Sequence, residues 1–132
     1  MAKKGLSRSM TGSWIDSRIM VGDMIDASVR EELQKLGIDM LVDIRIWFYG
    51  SGNAFPKENI LEMAQELVKL SEKHKILIYC TAGIDRTPFV AMLYCHFKYG
   101  WDYYKAYDYV KEKRPETFIH YEWLDVIKNF KY

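Results

Sequence analysis

The sequence predicts a one-domain α/β fold, with a central mixed or parallel sheet flanked by helices. Three observations carry this. Short apolar, β-branched runs alternate with longer runs of helical period along the chain. Glycine, proline and polar turn residues separate these runs, with no linker, repeat or low-complexity stretch between them. The length is 132 residues, with 49% hydrophobic and 28% charged residues, which suits a single core.

Residues 1–12 are basic, small and polar, with Lys3, Lys4 and Arg8, and are expected to form a flexible N-terminus ahead of a domain at 13–132. WIDSRIMVGD (14–23) predicts a strand or strand pair ended by Gly22-Asp23. Ser28 is placed to cap the first helix, and Glu31 completes a capping box. Val29, Leu33 and Leu36 share that helix's buried face, and Gly37 stops it. IDMLVDI (38–44) predicts a buried strand, and RIWFYGSGNAF (45–55) an irregular segment. Pro56 opens a second helix with a stripe of Ile60, Leu61, Ala64, Leu67 and Val68. KILIYC (75–80) predicts the next buried strand. Thr87 to Tyr99 predicts a third helix, with Val90, Leu93, Tyr94 and Phe97 inward and Gly100 at its end. Trp101–Lys113 predicts a fourth helix stopped by Arg114-Pro115, and residues 116–130 look helical again.

Lys plus Arg number 19 against 18 Asp plus Glu, a net charge of +1. Such a chain has no long-range field for polyanions, so no nucleic-acid partner is expected and any anion site is local. No long apolar run and no signal peptide is present, so no membrane span is expected. Two cysteines do not make a disulfide scaffold and point to a reducing, cytoplasmic setting. His74, His96 and His120 have no metal-ligand spacing with cysteines or acids, so no metal or other cofactor is expected. The oligomeric state is left open.

The chemistry concentrates in ILIYCTAGIDRT. Ligands of open α/β sheets bind beyond the carboxyl ends of the strands, and Cys80 stands at such an end. The turn after it, Thr81, Ala82, Gly83, Ile84 and Asp85, leads into a helix N-terminus, whose unpaired N–H groups and dipole favour an anion. Ala82 and Gly83 let the backbone close around it, and Arg86 adds a planar fork for two oxyanion oxygens. The same positive field favours the thiolate of Cys80, the form that attacks. The Thr87 hydroxyl is placed to hydrogen-bond the sulfur as it leaves. These residue types at this spacing specify phosphoryl transfer through a phosphocysteine.

CTAGIDRT is a Cys-x5-Arg-Thr loop and resembles the signature of the cysteine-dependent protein tyrosine and dual-specificity phosphatases. IMVGD, KLGIDMLVDI and AYDYVKEKRP extend the resemblance over most of the chain. It implies a small dual-specificity-phosphatase-like fold in a shortened version, with Cys80 as nucleophile, residues 81–86 as phosphate loop and Arg86 stabilising the transition state. It also implies metal-independent hydrolysis of phosphate monoesters. Within that family, CTAG followed by an apolar, aromatic-bearing helix is similar to the laforin-like and plant starch glucan phosphatases, so phosphoglucan stands beside phosphoprotein as a substrate class. Trp47, Phe48 and Tyr49 are the candidate platform for a sugar chain. Trp101, Tyr103, Tyr104, Tyr107 and Tyr109 crowd one helix, where some must be exposed.

Two departures stand out. Tyr79 replaces the histidine that the family places before its cysteine, and WFYGSGN carries no carboxylate where the family has its general acid. Asp85 is the best replacement, because IDRT is similar to the Asp-Arg-Thr loop ends of myotubularin-type, Sac-type and bacterial lipid phosphatases. A helix cap or a loop-holding salt bridge accounts for Asp85 equally well. Asp43 is the next candidate acid, and pairing with Arg45 is its simpler role. Cys95 is expected as a small buried hydrophobe rather than a disulfide partner of Cys80. Two alternatives stay open: a phosphate- or glucan-binding pseudophosphatase with little turnover, and a rhodanese-like sulfurtransferase, to whose early strand LVDIR is similar.

Overall fold

The structure is a computed structural model that describes residues 10–48 and 55–130. Its first apolar run folds into two strands, β1 (Ser13–Trp14) and β2 (Ile19–Asp23), which pair antiparallel. Asp16 turns the chain between them: its Oδ1 accepts from the N–H groups of Arg18 and Ile19 at 2.8 and 2.9 Å. A single 3₁₀ turn at Asp26–Ser28 follows, then α1 (Arg30–Lys35) and β3 (Met40–Asp43). A second 3₁₀ stretch, Ile44–Phe48, leaves the sheet. The rest is α2 (Lys57–Leu70), β4 (Ile76–Cys80), α3 (Arg86–Tyr99), α4 (Tyr103–Lys113) and α5 (Tyr121–Asn129).

The sheet order is β1-β2-β4-β3, with β4 parallel to both of its neighbours. The register pairs Asp23 with Cys80 and Asp43 with Tyr79, so the three parallel strands finish side by side. Side chains alternate across the sheet. Ile19, Val21, Ile76 and Ile78 face the main core, which α2, α3, α4 and α5 complete. Met20 and Leu77 face the other way, onto Leu33 and Ile38. The sheet is therefore mixed and covered on both faces, as the strand–helix alternation predicts.

α3 runs through the middle of the main core. Nine consecutive residues, Thr87–Cys95, are buried. A helix enclosed on all sides has no polar stripe, which is why the expected inward set of Val90, Leu93 and Tyr94 was too small and Phe97 is only half-buried. Gly100 closes α3 in the left-handed region with a φ of +72°.

Several local expectations need correction. Ser28 does not cap α1: Val29 occupies the cap position without a side-chain bond, and the Ser28 hydroxyl donates to the Ile25 carbonyl at 2.7 Å. Within segment 38–44, the strand Met40–Asp43 is an edge strand rather than a buried one, with Leu41 46% exposed, because among the described residues no strand pairs beyond β3. Residues 44–48 are 3₁₀ helix rather than irregular. α4 starts at Tyr103, after Asp102 caps it by accepting from the Lys105 N–H at 2.9 Å. Residues 116–120 are a connection, because Phe118 N–H donates to the Ile84 carbonyl at 2.8 Å instead of continuing a helix. Thr11 is held in place: its N–H donates to Asp26 Oδ1 at 2.9 Å, and its carbonyl accepts from Arg114 at 2.9 Å.

Candidate active site

Cys80 ends β4, 2% exposed and not in a disulfide. The turn that follows lies beyond the carboxyl ends of β2, β4 and β3, with Asp23 and Asp43 at the neighbouring strand ends. Gly83 allows the turn. Its φ is +70°, and a Cβ there would sit 2.5 Å from the Gly22 carbonyl oxygen and 2.9 Å from Arg114 Nη2.

Three donors from outside the turn occupy its carbonyls. Met24 N–H donates to the Thr81 carbonyl at 3.3 Å, and Phe118 N–H to that of Ile84 at 2.8 Å. The third is Arg114 Nε, which donates to the Gly83 carbonyl at 2.6 Å. With these carbonyls taken up by other donors, the turn at the N-terminus of α3 has the makings of an anion-binding concavity. Arg86 opens that helix, and its Nη2 donates across the turn to Thr81 Oγ1 at 3.4 Å.

Arg114 is the residue that sequence reasoning passed over as a helix stop. It is buried at 2% exposure, and besides Gly83 its guanidinium donates from Nη1 to the carbonyls of Thr11 (2.9 Å) and Val21 (3.3 Å) and to Ser13 Oγ (3.0 Å). One fork thus joins the turn, β1 and β2, which a lysine's single ammonium cannot span in the same way. The signal in the sequence was the Arg-Pro pair inside the family-like segment AYDYVKEKRP.

Asp85 occupies the cap position of α3 but its side chain makes no cap bond. Its Oδ1 lies 3.1 Å from Nε2 of His120, a residue that no motif singled out. The helix-cap role is thus not the one it adopts. Asp43 is committed elsewhere: Arg45 donates to it through Nε (2.9 Å), Nη2 (2.8 Å) and the backbone N–H (3.0 Å). The Arg45 hydrogen bonds hold the Asp43 carboxyl below the usual carboxylate range against its partial desolvation, and the charge of Arg86 adds to the effect. A carboxylate held ionised is poorly suited to donate a proton.

Thr87 is fully buried, and its Oγ1 has no hydrogen-bond partner among the described residues. An unpaired buried hydroxyl costs about 1–3 kcal/mol, so its retention calls for a partner in another state of the site. Tyr79 points to the smaller core, against the cluster of Met20, Leu33, Ile38 and Leu77, and so packs there. Cys95 is buried and free, and burial pushes its thiol up to about 12.

Of the candidate aromatic platform, the structure describes Trp47 and Phe48. Trp47 lines a cavity of about 290 Å³ with Val42, Met63, Leu67 and Leu70. Phe48 packs on Phe55 and Trp123, with ring centroids 6.1 and 5.4 Å apart. Both belong to the core margin because the 3₁₀ stretch turns them onto α2 and α5, and Tyr49 lies outside the described residues. The aromatics of α4 are mostly structural as well. Tyr107 is buried, Tyr109 donates to the Ile15 carbonyl at 2.6 Å, and Tyr103 stacks on His96. Tyr104 alone of this group is exposed, at 49%. Among the described residues no group of three or more His, Cys, Asp or Glu is arranged to hold a metal ion, and no helix is long and apolar enough to cross a membrane.

Comparison with known proteins agrees with this architecture. The chain is 26% identical over 119 residues to human "Protein phosphatase Slingshot homolog 2", covering 78% of this chain and 8% of that protein. It is 28% identical over 121 residues to human "Protein phosphatase Slingshot homolog 1", covering 80% of this chain and 12% of that one. The chain thus spans about a tenth of these relatives' length. Among solved structures, a mouse putative dual specificity phosphatase superposes with a TM-score of 0.77 at 15% identity, covering 94% of this chain and 88% of that one. Human DUSP28 superposes with a TM-score of 0.75 at 14% identity, covering 92% and 93%. At such identities these two show the shared fold. The family model described as "Dual specificity phosphatase, catalytic domain" matches residues 19–130, and the chain belongs to that family.

Proposed function

We propose that this domain hydrolyses phosphate monoesters on proteins through a phosphocysteine. One observation carries the reading: Cys80 ends β4 directly before a turn whose carbonyls are held by donors from outside it and which opens into the N-terminus of α3. The backbone of residues 81–86 and the Arg86 fork bind the phosphate. Cys80 Sγ attacks phosphorus, the S–P bond forms, and the bond to the leaving oxygen breaks. Asp85 gives that oxygen its proton. Water then attacks phosphorus, Asp85 takes the proton back, and the sulfur leaves as thiolate. Thr87, buried with an unpaired hydroxyl, donates to that departing sulfur.

A phosphoprotein substrate is favoured over phosphoglucan. The relatives carry protein-phosphatase names, and the residues expected to hold a sugar chain pack at the core margin instead. Family membership likewise favours phosphate over sulfur transfer. Two thiols outside any disulfide suit a reducing compartment.

The test is phosphate release from p-nitrophenyl phosphate in EDTA, repeated on a phosphotyrosine peptide and on phosphorylated amylopectin. Activity on the aryl ester and the peptide, abolished by Cys80→Ser, is expected. Asp85→Asn should lose about 10²–10⁴-fold on the peptide and much less on the aryl ester, whose leaving group needs little protonation. A folded wild type that binds phosphate and releases none from any substrate would leave a binding module.

A further inference from the structure

An acid in the phosphate turn must be recharged with a proton in every cycle. Asp85 has a neighbour suited to this. His120 stands just before α5, 35 residues downstream, with Nε2 3.1 Å from Asp85 Oδ1 and Nδ1 2.8 Å from Glu122 Oε1. The ring is held in place. It stacks on Trp123 with centroids 3.7 Å apart and planes 16° from parallel, and Phe118 lies against it at 4.8 Å. The His120 backbone N–H donates to the buried Tyr107 hydroxyl at 3.0 Å. The imidazole is 15% exposed, whereas Asp85 is 46% exposed and reaches solvent.

Counting protons gives the group its meaning. A hydrogen bond at each ring nitrogen needs one proton in each gap. That is met by an imidazolium between two carboxylates, or by a neutral imidazole that donates from Nδ1 to Glu122 and accepts from protonated Asp85. The two arrangements hold the same protons and differ only in where one lies along the Oδ1–Nε2 line. The hydrogen bond from His120 holds the Glu122 carboxyl below the usual carboxylate range, so Glu122 is the anion that holds the ring.

We infer that His120, held by Glu122, is a proton-relay and positioning residue that keeps Asp85 charged as the acid and base of the phosphatase reaction; the inference rests on the function proposed above. In the first step the single proton of the Oδ1–Nε2 gap passes through Asp85 to the leaving oxygen, which leaves Asp85 ionised and the imidazole neutral. In the second step the attacking water's proton passes to Asp85 and back to Nε2 as the S–P bond breaks. The trio ends as it began. The titratable groups facing His120 are Asp85 from the turn, Glu122 on α5 and Tyr107 on α4, and burial raises the Tyr107 phenol so that it stays neutral.

The test compares kcat–pH profiles on p-nitrophenyl phosphate and on phenyl phosphate, a poorer leaving group, for wild type, Cys80→Ser, His120→Asn and Glu122→Gln. His120→Asn keeps a donor for Asp85 but has no group that titrates near neutral pH. It should lose about tenfold or more on phenyl phosphate and under about threefold on the nitrophenyl ester, with partial rescue by added imidazole. Glu122→Gln lies on the surface and tolerates substitution; it should move the alkaline limb of the phenyl phosphate profile to lower pH. Equal losses of His120→Asn on both esters, or an unmoved alkaline limb in Glu122→Gln, would overturn the relay. A wild type whose activity dies with Cys80→Ser while His120→Asn stays normal overturns the relay alone. An inactive wild type overturns the phosphatase reading and the relay with it.

Discussion

Arg114→Met separates the structural staple of the phosphate turn from its chemistry. The guanidinium serves four acceptors, of which the Gly83 and Val21 carbonyls are fully buried. Each buried acceptor left unpaired costs about 1–3 kcal/mol, or about 2–6 kcal/mol for the two. The Thr11 and Ser13 contacts are nearer to water and recover part of their loss. Methionine refills some of the volume, so about 3–5 kcal/mol of destabilisation is expected, a large share of the roughly 5–15 kcal/mol that holds a small domain folded. Arg114→Lys keeps the charge but not the fork, and should cost about half as much. Urea unfolding followed by tryptophan fluorescence measures both, and the chain has four tryptophans for the purpose. Repeating the titration in phosphate adds a functional readout, because a ligand that binds only the folded state raises the midpoint. That rise should shrink in both variants. An Arg114→Met protein within 1 kcal/mol of wild type, with the phosphate effect intact, would refute the staple.

Two further outcomes follow from other sites. Burial disfavours the Asp16 carboxylate, but hydrogen bonds from Tyr99, the Arg18 and Ile19 N–H groups and Tyr94 outweigh it and set its folded value below 3.8. Its stabilising contribution is therefore complete above that pH and is lost as pH falls through the lower folded value, so acid unfolding of Asp16→Asn should be flatter below pH 3.8 than that of wild type. Parallel acid-unfolding curves would contradict this. Iodoacetate, an anion, should alkylate Cys80 of the native protein and be blocked by phosphate, while Cys95 stays unlabelled until unfolding; native labelling of Cys95, read by mass spectrometry, would contradict its burial.

What the chain reveals by inspection is local. Ile76 to Thr87 encodes strand, turn and helix start within one stretch, so the placement of Cys80, Gly83 and Arg86 is legible from spacing alone. Asp43 was legible too, because its partner Arg45 is two residues away. Residues whose meaning depends on distant partners were not. Arg114 acts on Gly83 across 31 positions and on Thr11 across 103, and His120 acts on Asp85 across 35. No period or motif connects such pairs. Ser28 and β3 were misread for a related reason. Capping residue types describe what a position is able to do, but the Ile25 carbonyl competed successfully for the Ser28 hydroxyl. Apolar content describes a strand without saying which neighbour is missing, and β3 lies at the edge of the sheet. Trp47 and Phe48 are half-buried on the 3₁₀ stretch against the main core, a packing that no local pattern in the sequence announces.

The ties between the turn and the segment from Arg114 to His120 join two parts of the chain far apart in sequence. Gly83, Ile84 and Asp85 each have a partner there: the Arg114 guanidinium, the Phe118 N–H and the His120 ring. The turn's shape is thus held from outside, by the stretch that leads into the final helix. If that helix detaches, the Phe118 and His120 ties go with it while Arg114 stays anchored on β1 and β2, and the turn loosens on one side while the sheet stays folded. The domain then has a sub-global opening in which the fold survives and one side of the phosphate cradle does not. Amide exchange in α5 and in residues 84–85 would rise in step, ahead of exchange in β4.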